Sequence, residues 1–265
     1  MKHLLVTITA ILLLAAQPAK ATDWKLVWAD EFDSSKLDYS RWNVSEDAFG
    51  GGNQELQLYT DRLKNVRVEN GKLIIEAHRD NPNIQGTQRK FSSGKIRTKH
   101  RGDWLYSKTV IRAKLPIGKG VWPAIWMLPT DEKYGSWAAS GEIDIMELVG
   151  HKPSECLGTL HYGGKWPNNR HSGKDYKLAK GTFADGFHTF SLEWEKGEIR
   201  WYVDGIHWQT QKRWDTRNVK FPAPFDQRFH LLINVAVGGN LPGPPTSATE
   251  FPVRMEVDWV RVYQR

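Results

Sequence analysis

The chain has 265 residues, of which 40% are hydrophobic and 25% are charged, and its formal net charge is +7. The length suits one large domain. The positive excess is modest and spread along the chain without a basic run, so it gives little reason to expect a nucleic-acid partner.

The N-terminal 21 residues are typical of a cleaved secretory signal. Lys2 and His3 precede an apolar run over 4–16, and an A-K-A stretch ends at Ala21. The run is too short for a stable membrane span, and no later segment is long and apolar enough, so no membrane association is expected. We predict cleavage after Ala21, export to the periplasm or the medium, and one domain over 22–265. Loss of Lys2 and Lys20 lowers the charge from +7 to +5.

The rest of the chain consists of short β-rich segments separated by turn signals, without long amphipathic helical patterns. The turn signals include the pairs Asn70-Gly71, Lys196-Gly197 and Asp204-Gly205. We expect the first and last strands to pair and 187–194 to form a hairpin with 198–203. The predicted fold is all-β, an antiparallel jelly-roll sandwich. Its predicted strands include 24–28, 73–77, 108–115, 187–194, 199–203, 231–237 and 255–263.

Two segments before the middle of the chain could line a cleft. In 94–99, alternation places Lys95, Arg97 and Lys99 on one strand face, for which a solvated basic surface is the simpler interpretation. In 120–129, Trp122 and Trp126 share a face. Indole rings near carboxylates suit the apolar faces of sugar rings, although both residues could instead belong to the core.

The most informative segment is 141–150, Gly-Glu-Ile-Asp-Ile-Met-Glu-Leu-Val-Gly. Its alternation places Glu142 and Asp144 on one face of a strand, whereas Glu147 would fall on the other face. A one-residue bulge near 145–146 would return Glu147 to the first face. The Cα atoms of the two glutamates would then be about 13 Å apart, leaving about 5 Å between carboxyl groups that lean inward. Retaining glycosidases need about 5–5.5 Å. The alternative is an edge strand kept soluble by its acids.

The remaining polar candidates carry less information. His161 could be a hydrogen-bonded core histidine, and Cys156 is expected to be a buried, inert thiol. His151, Glu155 and Cys156 lack the spacing of a zinc site. No calcium loop, phosphate-binding loop or nucleophile elbow is present. The sequence therefore predicts no cofactor for catalysis.

Several of these segments together resemble glycoside hydrolase family sixteen, and within it the bacterial endo-1,3-β-glucanases, or laminarinases. The resemblance implies a jelly roll with a concave substrate cleft and one catalytic domain. It also implies endo-cleavage of β-1,3 bonds in laminarin-type glucans, with retention by double displacement. The segments that carry it are 28–33 (WADEFD), 52–60 (GNQELQLYT), 120–128 (GVWPAIWML), 141–150, 160–164 (LHYGG) and 234–240 (NVAVGGN).

By position, the resemblance implies that Glu142 is the nucleophile, Glu147 the acid/base and Asp144 an assisting residue. It further implies a structural calcium ion bound by Glu31, Gly71 and Asp258. Two departures from the family pattern, Lys95 in place of arginine and Leu241 in place of tryptophan, affect substrate affinity and leave the chemistry intact. The substrate-binding residues that it implies are Asn53, Arg97, Trp122, Trp126, Trp137 and His161.

Other functions remain open at this stage. A hydrolase or transglycosylase of the same fold could act on mixed-linkage 1,3-1,4-β-glucan or on red-algal galactans. A non-catalytic glucan-binding protein is also compatible with the fold, although the intact set of three acids argues against it. We expect a monomer whose partner is a β-glucan polysaccharide.

Overall fold

The computed structural model describes residues 23–84, 86–215 and 219–265. The predicted signal segment, 1–21, lies outside these residues. Within them, one short 3-10 helix, Gly50–Gly52, accompanies twenty strands, and no helix has the length and apolar character needed to cross a membrane. The strands are β1 Lys25–Asp30, β2 Asn43–Val44, β3 Gln57–Tyr59, β4 Val66–Glu69, β5 Lys72–Ala77, β6 Asn83–Ile84, β7 Thr87–Gln88, β8 Phe91–Ser93, β9 Lys95–Arg97, β10 Asp103–Trp104, β11 Ser107–Lys114, β12 Val121–Pro129, β13 Glu142–Glu147, β14 Glu155–Tyr162, β15 Arg170–Lys177, β16 His188–Glu195, β17 Glu198–Val203, β18 Ile206–Gln211, β19 Phe229–Val237 and β20 Val253–Gln264.

Two large antiparallel sheets form the sandwich, as predicted. The first, here called the acidic sheet, has the strand order β15-β14-β13-β12-β19-β9-β2, with β10 also paired to β19. The second, the opposite sheet, has the order β18-β17-β16-β11-β20-β5-β4, with β1 also paired to β20. Strand β13, which carries the three acids, therefore lies inside its sheet and is bonded on both edges.

The core lies between the two sheets. Strand β11 alternates buried and partly buried residues along its whole length, because one face packs inward and the other meets solvent. In the acidic sheet, Ile143 and Met146 are fully buried among core side chains. Trp201 of the opposite sheet donates its indole N–H to the backbone oxygen of Asp144 at 2.8 Å. This bond ties the middle of β13 to the strand packed beneath it.

The predicted pairings are confirmed. Strand β1 pairs with β20, with Leu26 opposite Tyr263. Strands β16 and β17 form a hairpin in which Glu195 faces Glu198 across the Lys196-Gly197 turn. Asn70-Gly71 and Asp204-Gly205 both adopt positive φ, the conformation that these turn residues were expected to supply.

The prediction that Lys99 shares a strand face with Lys95 and Arg97 is wrong. Strand β9 ends at Arg97, and the chain then turns. The hydroxyl of Thr98 donates to the carbonyl of Gly102 at 2.6 Å, and the amide of Arg101 donates to the carbonyl of Thr98 at 2.7 Å. These local bonds replace the sheet ladder, so Lys99 lies in a turn.

Candidate active site

A β-bulge in β13 confirms the predicted change of direction. Toward β12, Asp144 faces Trp126 whereas Met146 faces Ile125, so Ile145 is the extra residue. Toward β14, the register likewise shifts between Asp144 and Glu147. The bulge returns Glu147 to the face that carries Glu142 and Asp144. This surface of the acidic sheet is here called the site face.

Each acid on the site face has defined neighbours. Oε2 of Glu142 accepts the indole N–H of Trp137 at 2.7 Å. Nε2 of His161 lies 3.2 Å from Oδ2 of Asp144 and 3.8 Å from Oε1 of Glu142. These contacts bring Glu142, Asp144, His161 and Trp137 together as one group.

Glu147 is the last of the three acids along β13 and lies on the far side of Asp144 from Glu142. Its Oε1 accepts the indole N–H of Trp122 at 3.1 Å. A side chain added at Gly239 would meet both Trp122 at 3.1 Å and the carbonyl of Asn53 at 3.2 Å. Gly239 also has a φ of +96°, which favours glycine. Asn53 and Trp122 therefore adjoin on the Glu147 side of the site.

Burial raises the pKa of all three acids. The pKa of Glu142 rises to about 8 through burial and then through the charge of Asp144, whereas His161 and Trp137 oppose the rise. The pKa of Glu147 rises to about 8 for the same two main reasons. Burial alone raises the pKa of Asp144 to about 8, against a hydrogen bond with Glu142. The three acids of the cluster are therefore not all ionised near neutral pH.

The hydrogen bonds distinguish the two glutamates. The bond from Trp137 to Glu142 is shorter than the bond from Trp122 to Glu147, and His161 lies beside Glu142. Donors stabilise the ionised form of a carboxyl group. Glu142 therefore has the closer donors, while the pKa of both glutamates is raised to about 8.

Trp122 and Trp126 face the site, and neither belongs to the hydrophobic core cluster, although Trp122 is buried. Trp126 donates its indole N–H to Oδ1 of Asn234 at 2.7 Å, and the amide of Asn234 donates to the hydroxyl of Tyr59 at 3.0 Å. The polar ends of both indoles thus contact cleft side chains, while Ile125 between them is fully buried.

Arg97 lies away from the acids. It belongs to the cross-strand row Asp144, Trp126, Leu232, Arg97. Three strand spacings separate Arg97 from Asp144, or about 14 Å. Arg97 is exposed and shares the site face, so it can contact only the far end of an extended ligand.

Sequence reasoning missed a polar group that follows Asn53. Gln57 donates to Oε2 of Glu55 at 2.6 Å, and the hydroxyl of Tyr59 lies 3.4 Å from the same oxygen. Asn234, the partner of Trp126, contacts this group through Tyr59. The signal was available, because Glu55, Gln57 and Tyr59 alternate with leucines and so share one face.

The residues predicted to bind calcium do not fit a preformed site. Both carboxylate oxygens of Glu31 accept hydrogen bonds from Arg261 at 2.8 Å, and Asp258 pairs with Arg112. Gly71 lies in the β4–β5 turn. In the described ranges, the side chains that could hold a metal ion as a group of three are Glu142, Asp144 and His161, which belong to the acidic cluster itself.

Cys156 is buried, as predicted, and burial raises the pKa of its thiol. A thiol that resists ionisation is a poor nucleophile. The residue therefore has a packing role.

Comparison with known proteins identifies the family. Residues 41–261 match the family "Glycosyl hydrolases family 16". The chain belongs to this family.

The relatives of the chain within family 16 include two curated bacterial proteins. It is 46% identical to glucan endo-1,3-beta-glucosidase A1 of Niallia circulans, over 90% of this chain and 38% of that protein. It is 42% identical to a beta-glucanase of Rhodothermus marinus, over 92% of this chain and 87% of the relative. The chain thus spans well under half of the first relative and most of the second.

A solved structure supports the fold. It is a glutamate-to-serine mutant of a non-specific endo-beta-1,3(4)-glucanase, SCLam, co-crystallised with 1,3-beta-D-cellotriosyl-glucose and presenting 1,3-beta-D-cellobiosyl-glucose at its active site. The TM-score is 0.82 at 39% identity, over 93% of this chain and 97% of that one. The jelly-roll prediction is confirmed.

Proposed function

We propose that this protein is a retaining endo-1,3-β-glucanase that cleaves internal bonds of laminarin-type β-glucans. The observation that carries the proposal is the bulge that brings Glu142, Asp144 and Glu147 to one face between two indole donors. Relatives described as endo-1,3-β-glucosidases and β-glucanases support the choice of substrate.

In the first step, a carboxylate oxygen of Glu142 attacks the anomeric carbon of the sugar. The bond from that carbon to the glycosidic oxygen breaks, and Glu147 donates its proton to the departing oxygen. The products are a glycosyl ester on Glu142 and a shortened glucan with a free hydroxyl group. Loss of the negative charge on Glu142 removes its repulsion of Asp144, which lies beside it.

In the second step, Glu147, now ionised, removes a proton from a water molecule. The water oxygen attacks the same anomeric carbon and releases Glu142 as a carboxylate. Two inversions give net retention. If a sugar hydroxyl replaces water, the same intermediate yields transglycosylation, so the balance between the two outcomes depends on acceptor binding.

A side-by-side product profile on laminarin, lichenan and agarose tests the proposed function. We expect laminarin to release reducing ends fastest and to yield a mixture of oligosaccharides early, because an endo-enzyme cuts internal bonds. Faster release from lichenan or agarose would favour the mixed-linkage or galactan alternative. Binding to laminarin without release of reducing ends would favour a glucan-binding protein.

Export through a signal over 1–21, a monomeric state and a structural calcium ion are further proposals.

Calcium would have to compete with Arg261 and Arg112 for the carboxylates of Glu31 and Asp258. We therefore expect EDTA to leave the melting temperature unchanged. About 10 mM CaCl2 should raise it by only a few degrees, as a site with a dissociation constant near 1 mM would. Differential scanning calorimetry with Asp258→Asn as control checks this, and a large EDTA-induced drop would show a tight site.

A further inference from the structure

Glu55 is a fourth carboxylate beside the acidic cluster. Its backbone pairs with Gly238, just beyond the end of β19. Its Cγ would lie 3.3 Å from a Cβ added at Gly239, the glycine that also contacts Trp122. Trp122 in turn donates to Glu147, and the charge of Glu55 contributes to raising the pKa of Glu147. Glu55 therefore adjoins the Glu147 side of the cleft.

The two carboxylate oxygens of Glu55 have different surroundings. Oε2 accepts the amide of Gln57 at 2.6 Å and lies 3.4 Å from the hydroxyl of Tyr59. Oε1 lies over Gly51, an exposed residue, where a Cβ would come within 2.0 Å of it. One oxygen is thus fixed by protein donors, and the other lies beside exposed Gly51.

The negative charge of Glu55 is only partly balanced by its neighbours. Burial raises the pKa of Glu55, whereas Gln57 and the charge of Lys95 oppose the rise. Lys95 is itself paired with Asp47 at 2.7 Å and lies over the ring of Tyr59 at 4.4 Å. The positive charge of Lys95 is therefore shared between Asp47 and Glu55 and offsets the charge of Glu55 only in part. Glu55 therefore adds a carboxylate to a stretch of the site face that already carries the three acids of β13 and, among the described residues, holds few free cations beside them.

We propose that Glu55 is a specificity residue that accepts hydroxyl hydrogen bonds from the sugar unit beside Trp122 and disfavours anionic polysaccharides. The proposal rests on the proposed function, because it assigns that cleft a neutral, hydroxyl-rich glucan. A carboxylate suits such a ligand, since sugar hydroxyls donate to it and a sulfate or uronate group is repelled.

A binding measurement separates this proposal from the catalytic chemistry, because a variant that lacks the nucleophile does not cleave its ligand. The affinity for laminarihexaose is compared between Glu142→Ser and the double variant Glu142→Ser, Glu55→Gln. The glutamine can still accept from Gln57 through its amide oxygen, but it presents an NH2 group where Oε1 was. We expect about 10- to 100-fold weaker binding by calorimetry, the loss typical of a hydrogen bond to a charged group. Affinity within twofold of the parent would overturn the proposal, whatever the rate of the wild-type enzyme on laminarin.

Two neighbouring glycines provide a matched pair of variants. Gly51 and Gly52 have φ values of +59° and +72°, so alanine is strained at either position. A Cβ at Gly51 would collide with Glu55, whereas a Cβ at Gly52 meets nothing within 4 Å. We expect Gly51→Ala to raise the KM for laminarin about tenfold or more, with Gly52→Ala near wild type. Equal KM values for the two variants would contradict the role of Glu55.

Competition by sulfated laminarin tests the electrostatic half of the proposal. In low salt, the parent should bind neutral laminarin more tightly than sulfated laminarin, and Glu55→Gln should reduce that ratio by about threefold or more. Asp61→Asn, a change at an exposed residue bonded to Tyr39, serves as the charge-matched control and should leave the ratio unchanged. An unchanged ratio in Glu55→Gln would reject the discrimination against anions.

Discussion

Replacing Glu142 with serine is expected to lower the rate of laminarin hydrolysis by about 1,000-fold or more. Without this carboxylate no glycosyl ester can form, and the serine is too short to reach the anomeric carbon in its place. Reducing-end assays on purified protein provide the measurement. A rate within about tenfold of wild type would remove Glu142 from the mechanism.

The same variant should fold, and its stability relative to the wild type should increase as the pH rises. Burial and Asp144 raise the pKa of Glu142 in the folded protein, so the folded state holds a proton that the unfolded state releases. The wild type therefore loses stability as the pH rises from about 4.5, the ordinary pKa of a glutamate, to about 8, the pKa of Glu142 in the folded protein. Glu142→Ser lacks this term. Its melting temperature relative to wild type should thus be higher at pH 8 than at pH 4.

Glu155→Gln is the control for this stability measurement. Glu155 is paired with Lys177 at the surface at 3.0 Å, so its removal should give no comparable gain at high pH. A melting temperature of Glu142→Ser that falls relative to wild type between pH 4 and pH 8 would contradict the assigned cause of the pKa shift.

The architecture and the acidic row could be predicted because both follow from short-range patterns. Alternation marks β11, and the Lys196-Gly197 turn fixes the hairpin that joins β16 to β17. The bulge could be predicted because the spacing of the three acids is incompatible with a shared face. Under strict alternation Glu147 points away from the face that carries Glu142 and Asp144. Ile145 resolves that conflict as the extra residue.

Contacts that join distant segments were less predictable. Lys95 was interpreted as a solvated cation, but a long-range fold contact pairs it with Asp47. Glu31 and Asp258 matched calcium ligands by position, yet whether arginines bind them depends on where Arg261 and Arg112 lie on neighbouring strands. Glu55 was visible in the sequence as part of a motif. Its proximity to Trp122 arises only from the glycine turn at 238–239.

Replacing Glu147 with alanine should lower the rate of hydrolysis of the polymer far more than that of an activated substrate. A glucan leaving group is a poor one and needs a proton, so hydrolysis of laminarin should fall by about 100- to 10,000-fold. A dinitrophenyl glycoside of laminaribiose has a leaving group that departs unprotonated. Its first step, measured as a burst of dinitrophenol, should lose less than about tenfold. Equal losses on the two substrates would count against the acid role.

Glu147→Gln separates the proton from the shape of the side chain. The amide oxygen of glutamine can still accept the indole N–H of Trp122, which lies 3.1 Å from Glu147 in the native protein. Because an amide cannot donate a proton as an acid does, this variant should show the same substrate dependence as Glu147→Ala. Near-normal hydrolysis of laminarin by Glu147→Gln would show that the side chain at position 147 does not act as a proton donor. The wild-type rate on laminarin should also fall as the pH rises through about 8, where Glu147 loses its proton, and this fall should be absent from both variants.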